Sequence, residues 1–203
     1  MLLRDSLPKF DSKLRFLHGN PSLGSVDIYV SGNLVGSNIE FGDITNYNTF
    51  SPSSYILEVF KSGTYDSPIF KKNIEVVPNS IETLSLVRNN GETDLFKLKD
   101  SSSKGGKEIS FLRFLNISPN APLMTLSLQN NEVLFKDVEY VETTGYYPLS
   151  PGVYTFKISF SGASAISKTI KDVVLLPGEF QSLYVIGLLN GEPQLGYLLQ
   201  TDG

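Results

Sequence analysis

The chain of 203 residues has no cysteine, no tryptophan, one histidine and no long apolar run. Each absence removes a class of function. Without cysteine there are no disulfides and no thiolate chemistry, and the redox compartment is left open. His18, the only histidine, cannot supply the several nitrogen or sulfur ligands that zinc requires, so no metal site is expected. The longest apolar stretch runs from Leu183 to Leu189 with Gly187 inside it, far short of the roughly 20 residues of a helical membrane span. Basic residues number 17 against 21 acidic ones, and Lys71-Lys72 is the only adjacent basic pair. A nucleic-acid partner would need a basic stripe, which this chain does not carry. Gly105-Gly106 has no strand-to-helix setting, so no phosphate cradle and no cofactor are expected. The opening Met1 to Pro8 lacks a basic segment followed by an apolar one, which makes a cytoplasmic address the default expectation.

What is present is apolar alternation. With 40% hydrophobic and 19% charged residues and a mean hydropathy of −0.04, the chain has enough apolar surface for a globular, soluble fold. Met124, Leu126 and Leu128 alternate with Thr125, Ser127 and Gln129, and Tyr154, Phe156, Ile158 and Phe160 alternate with Thr155, Lys157 and Ser159. A period of two describes strands with one face buried and one wet. Turn residues interrupt about every eight to twelve positions, and no window shows a helical period.

The sequence also says one thing twice. Leu14-Arg15-Phe16-Leu17 with Pro21 returns as Leu112-Arg113-Phe114-Leu115 with Pro119, and Ser51-Pro52 followed by Tyr55 returns as Ser150-Pro151 followed by Tyr154. The displacements are 98 and 99 residues, so this is a tandem duplication of a domain-sized unit. Strands are expected near 14–18, 25–30, 34–41, 44–50, 54–61, 69–77, 82–88 and 94–98 in copy one. In copy two they fall near 112–116, 123–129, 132–140, 146–149, 153–160, 166–176, 180–189 and 194–199. The fold expected is all-β, two tandem antiparallel β-sandwich domains with immunoglobulin-like proportions, at 1–98 and 109–203. The polar, glycine-containing segment 99–108 reads as a flexible linker between them.

Turn chemistry can be compared between copies. Pro151-Gly152 and Pro177-Gly178 suit a type II turn, whose second central residue needs positive φ. Pro78-Asn79 can keep that geometry because asparagine tolerates it, whereas Ser53 in Pro52-Ser53 would be strained. Asn90-Gly91 and Asn190-Gly191 read as hairpin turns rather than calcium loops.

The run Leu14 to Pro21, then Val26-Asp27-Ile28-Tyr29-Val30 with Gly32, then Phe41 to Tyr47, resembles the bacterial family catalogued as domain of unknown function 4397. Copy two keeps a fainter version in Leu112 to Pro122, Tyr140 to Tyr146 and Ser150 to Tyr154. The resemblance implies a β-sandwich, often in tandem, often in exported or envelope-attached proteins, with no established activity. Ser53 stands where the family has a turn glycine. Copy two has Asn116 and Thr125 where His18 and Asp27 stand in copy one.

Five residues of copy one are candidates for a binding site: His18, Asp27, Tyr29, Tyr47 and Phe60. His18 is the one side chain that titrates near neutrality unaided, and with Asp27 and a serine it would give a hydrolase. No serine lies in a Gly-x-Ser-x-Gly setting, and Asn116 in the second copy cannot act as a base. The structural reading is that His18 pins the loop that ends at Pro21, a task an asparagine can share. Arg15 and Arg113 recur inside apolar strands, which favours a structural role over a ligand site: either pairing with a carboxylate, Asp27 being a possible partner for Arg15, or extending past the sheet edge to water. Tyr29, Ile56 and Phe60 fall on the outer face where copy two has Ser127, Thr155 and Ser159. That face is a partner surface, an interdomain contact, or ground covered by a loop. The function expected is a non-catalytic binding or structural module holding a protein or glycan partner, with no catalytic residue assigned. The alternatives are a hydrolase using His18 and Asp27, or an assembly subunit pairing through sheet edges. Copy two is expected to be scaffold.

Overall fold

The computed structural model describes residues 10–101, 103–162 and 166–203. Met1 to Pro8, read above for a secretory signal, and Ser102 lie outside the described residues. Among the described residues there are seventeen strands and no helix, so no helix is long and apolar enough to cross a membrane. Copy one contains β1 (Ser12–His18), β2 (Val26–Val30), β3 (Asn33–Ile39), β4 (Asn48–Phe50), β5 (Ser53–Lys61), β6 (Phe70–Val76), β7 (Ile81–Asn89) and β8 (Glu92–Lys99). Copy two contains β9 (Ser110–Asn116), β10 (Met124–Leu128), β11 (Val133–Val138), β12 (Glu142–Thr143), β13 (Tyr147–Leu149), β14 (Gly152–Phe160), β15 (Ser167–Leu175), β16 (Phe180–Ile186) and β17 (Gly196–Thr201). By contacts the chain divides into two compact units, 1–18 with 23–86 and 94–100, and 19–22 with 87–93 and 101–203.

Each copy is a pair of sheets around one core. In copy one the orders are β4-β1-β7-β8 and β3-β2-β5-β6, and in copy two β12-β9-β16-β17, with β13 also on β9, and β11-β10-β14-β15. The alternation explains the packing. Leu14 and Phe16 on β1 with Leu84 and Leu86 on β7 meet Val26 and Ile28 on β2 and Leu57 and Val59 on β5 in one buried cluster. Phe114, Leu126, Phe156, Ile158 and Leu183 do the same in copy two. Each such side chain contributes about 1.5–3 kcal/mol by leaving water.

The sandwiches are not purely antiparallel, which corrects the expectation. β1 runs parallel to β7 from Lys13 opposite Ile81 to His18 opposite Leu86, and β9 runs parallel to β16 in the same manner. Alternation reports which face is buried and is blind to the direction of the neighbouring strand. Gly178 and Asn79 have φ of 75° and 56°, as their turns require, and Asn90 and Gly91, at 50° and 88°, form the β7–β8 hairpin. Two turn readings fail. Gly152 has φ 159°, nearly extended, and opens β14. Asn190-Gly191 lies inside the 187–195 connection, which is closed by Leu188 N–H donating to the Pro193 carbonyl at 2.9 Å instead of by a two-residue hairpin. The segment read as linker from 99 is partly domain: Lys99 ends β8 and Asp100 is buried. Tyr55 and Tyr154 explain their own repetition, because each hydroxyl donates to a carbonyl four residues back, Ser51 at 2.9 Å and Ser150 at 2.8 Å.

The repeated arginine sits in the repeated polar cluster. Arg15 Nε–H donates to Thr83 Oγ1 at 2.7 Å, Thr83 donates to Asp100 Oδ2 at 2.5 Å, and Tyr47 donates to the same oxygen at 2.7 Å. The guanidinium carbon lies 4.5 Å from the centre of the Tyr47 ring, and Nη2 is 3.7 Å from Asp100 Oδ2. Copy two repeats every part with Arg113, Ser182, Asp202 and Tyr146, at 2.6 Å, 2.5 Å and 2.5 Å for the three hydrogen bonds. The carboxylate partner of Arg15 is therefore Asp100 and not Asp27.

Removing one charge of such a pair strands the other in low dielectric, at a cost of about 3–5 kcal/mol. Asp100→Leu should lower the urea midpoint of the first unit accordingly, and Arg15→Met with Asp100→Leu should recover most of the loss. Equal destabilisation by the single and double variants would show that the guanidinium is not the group left uncompensated.

Candidate functional site

Three of the five candidate residues come together on the outer face of β2 and β5. Asp27 and Tyr29 alternate with buried Ile28 on β2, and the antiparallel register sets Asp27 opposite Phe60 and Tyr29 opposite Glu58. A loop residue, outside the strand alternation, completes the group. Tyr65, in the 62–69 connection, stacks on Phe60 with centroids 4.6 Å apart and planes at 25°, and Tyr29 packs against both, 5.4 Å from Phe60 and 4.9 Å from Tyr65. Tyr65 buries Phe60 to 3% exposure while itself remaining 56% exposed. Phe60 is thus not an exposed ring, as its strand position implied, but the floor beneath one. The sole sequence signal for Tyr65 was its place in a loop following two outward aromatics, because alternation carries no information about loops.

Asp27 holds that loop in position. Its carboxylate accepts the Asn38 N–H at 2.7 Å, the Gly63 N–H at 2.9 Å, the Ser62 hydroxyl at 3.1 Å and the Ser37 hydroxyl at 3.4 Å. Those donors, the Asn38 and Gly63 amides first, lower its pKa and keep it ionised. Asn38 and Gly63 have φ of 50° and 77°, so the carboxylate stabilises two left-handed positions at once. Copy two keeps half of this arrangement: Thr125 Oγ1 accepts the Asp137 N–H at 3.1 Å, the counterpart of Asn38. The Thr125 hydroxyl takes one such amide, where the two carboxylate oxygens of Asp27 take two.

The other two candidates lie elsewhere. Tyr47 belongs to the Arg15–Asp100 cluster, with its hydroxyl committed to Asp100. His18 ends β1, is fully buried, and faces the Gly24 carbonyl through Nε2 at 3.0 Å. Burial lowers its pKa, against smaller opposing effects from the Gly24 carbonyl and the Asp43 charge, so the ring is neutral and donates from Nε2. It pins the 19–25 loop at Gly24, beyond Pro21. Asn116, its counterpart, donates to the Val138 carbonyl at 3.2 Å and accepts the Ser118 N–H at 3.1 Å. Among the described residues no hydrogen bond or ion pair joins His18 to Asp27, and no group of three or more His, Cys, Asp or Glu is placed to hold a metal. The pair required by a hydrolase is not assembled: each partner is occupied by backbone.

Two measurements follow from these geometries. The unfolded chain binds a proton on His18 before the folded one does, so stability should fall as pH drops below about 6.5. In His18→Asn, the thermal midpoint should fall less between pH 7.5 and 5.5 than in the parent; parallel profiles would contradict the buried neutral ring. Asp27→Ala should raise hydrogen exchange at the Gly63 and Asn38 amides roughly tenfold or more, the equivalent of about 1.4 kcal/mol per lost bond. Unchanged exchange would mean the loop holds itself.

Set beside known proteins, the chain matches the family model described as "Domain of unknown function (DUF4397)" over residues 12–127 and again over 110–202. No curated protein matches it. Among solved structures, a carbohydrate-binding module of family CBM26 from Eubacterium rectale Amy13K, in complex with maltoheptaose, aligns over 95% of this chain and 97% of that one. The identity is 9% and the TM-score 0.30. A superposition that loose fixes neither a ligand nor a site.

Proposed function

The chain belongs to the DUF4397 family of unknown function, and from its own surfaces we propose a non-catalytic binding module whose first copy holds a glycan or protein partner. One observation carries this reading: Tyr65 presents an open ring face on a base made rigid by Phe60, Tyr29 and the Asp27 clamp. An isolated exposed tyrosine loses rotamer freedom when a ligand stacks on it, and this one has already lost it to the cluster. Leu34 at 52%, Ile56 at 40% and Ile69 at 45% exposure add apolar surface to the same face. Their neighbours Glu58 and Lys71 neutralise each other at 2.7 Å, so the surface favours planar, uncharged contact. Sugar rings and aromatic or proline side chains both meet that description.

The test is binding to a neutral glycan array and, in parallel, cross-linking to protein partners, each with Tyr65→Ala and Tyr29→Ala. Loss of one stacking ring should weaken binding roughly tenfold, from about 1–2 kcal/mol, with little change in thermal midpoint for the exposed Tyr65. Partners retained at full affinity by both variants would overturn the assignment of this face.

A further inference from the structure

The corresponding sheet face of copy two is built differently, and in a way that scaffold does not require. In copy one, β5 and β6 pair residue for residue from Ser53 opposite Val76 to Val59 opposite Phe70. In copy two, Tyr154 opposes Val173 and Phe156 opposes Ile170, so Lys171 and Asp172 together face Thr155. This is a β-bulge, with Asp172 at φ 58°. Bulges re-aim side chains at the cost of a ladder position. Beside it lies a hollow of about 440 Å³ lined by Gln129, Asn131, Thr155, Lys157, Thr169 and Lys171, together with Phe156.

The charges of this face changed along with its shape. Copy one neutralises its lysine across the strands, Lys71 against Glu58 at 2.7 Å. At the position of Glu58 copy two has Lys157, and the residue opposite is Thr169. The only hydrogen bond of the Lys157 ammonium among the described residues is with Asn131 Oδ1 at 3.4 Å, and neither Lys157 nor Lys171 has an ion pair among them. In a chain of net charge −4 the hollow thus gathers two ammonium groups, two hydroxyls and two carboxamides, with no carboxylate in its lining. Ammonium groups seek an oxyanion through charge-assisted hydrogen bonds, while hydroxyls and carboxamides both donate and accept, as a polyol does.

We propose that this hollow in copy two is a binding site for an acidic saccharide, a sugar unit carrying a carboxylate or other oxyanion. The oxyanion lies between Lys157 and Lys171, and Thr155, Thr169, Gln129 and Asn131 meet the sugar hydroxyls. The site is independent of the aromatic face of copy one.

Titration of the isotope-labelled full chain with a galacturonate oligomer, a neutral gluco-oligosaccharide and inorganic phosphate, followed by amide shifts, tests it. The galacturonate oligomer should shift the amides of Lys157, Thr169 and Lys171, with affinity falling at least tenfold in Lys157→Glu and in Lys171→Gln and weakening as salt rises. Both substitutions are at the surface and should leave the thermal midpoint nearly unchanged. Absence of shifts, equal binding of the neutral oligosaccharide, or affinity retained in both variants would overturn the site. Binding of phosphate without the galacturonate oligomer would overturn its assignment to a saccharide.

Discussion

A guanidinium placed inside a sandwich wall has to be matched, and much of each copy is arranged to match it. Arg15 on β1 is met by Thr83 on β7, by Asp100 just past β8 and by Tyr47 from the connection before β4. Three separate parts of the chain converge on one buried carboxylate oxygen of Asp100. The parallel β1–β7 pair brings the hydroxyl alongside the arginine, since Arg15 and Thr83 are register partners. A buried ion pair adds little to stability when compared with apolar residues, but breaking it is costly, which makes it a device for specifying one arrangement. Its complete recurrence around Arg113 shows that the arrangement, and not the bare charge, is what the duplication preserved.

Much of this was legible from residues alone. The alternation in Tyr154 to Phe160 located a strand and its buried face, and the arginine repeat indicated a structural partner. The partner itself was hidden for a physical reason. Asp100 and Asp202 lie 102 residues apart, out of step with the 98 and 99 of the other repeated positions, and Asp100 sits in a polar stretch that composition assigns to a linker. Strand direction was equally invisible, because β7 buries Leu84 and Leu86 on the same pattern whether its neighbour runs parallel or antiparallel.

The candidate site was half legible. Tyr29 and Phe60 stood out because copy two has serines there, a contrast available only within a duplicated chain. Tyr65 did not, since its position depends on a carboxylate bonding to backbone amides 11 and 36 residues away. His18 and Tyr47 drew attention by rarity and by ring, and both proved to serve the main chain or the arginine. Copy two reads as scaffold because it lacks equivalents of His18, Asp27, Tyr29 and Phe60, and a comparison of what is lost is blind to the bulge at Asp172 and to Lys157 and Lys171.

Copy one shows a further exchange. Gln181 in copy two accepts the Leu176 N–H and donates to the Val174 carbonyl, closing the turn before β16 with one neutral side chain. At the matching position copy one has Glu82, which cannot donate, and Lys97 reaches across to the Glu75 carbonyl and to Glu82 itself at 2.9 Å each. The two solutions use incompatible chemistry for the same corner. A β7 strand that strayed into the place of β16 would bring a carboxylate without its lysine, because β17, whose Thr201 pairs with Gln181, carries no lysine to offer it. Neighbouring near-copies on one chain risk exchanging strands during folding, and this divergence marks each strand as native to its own sandwich.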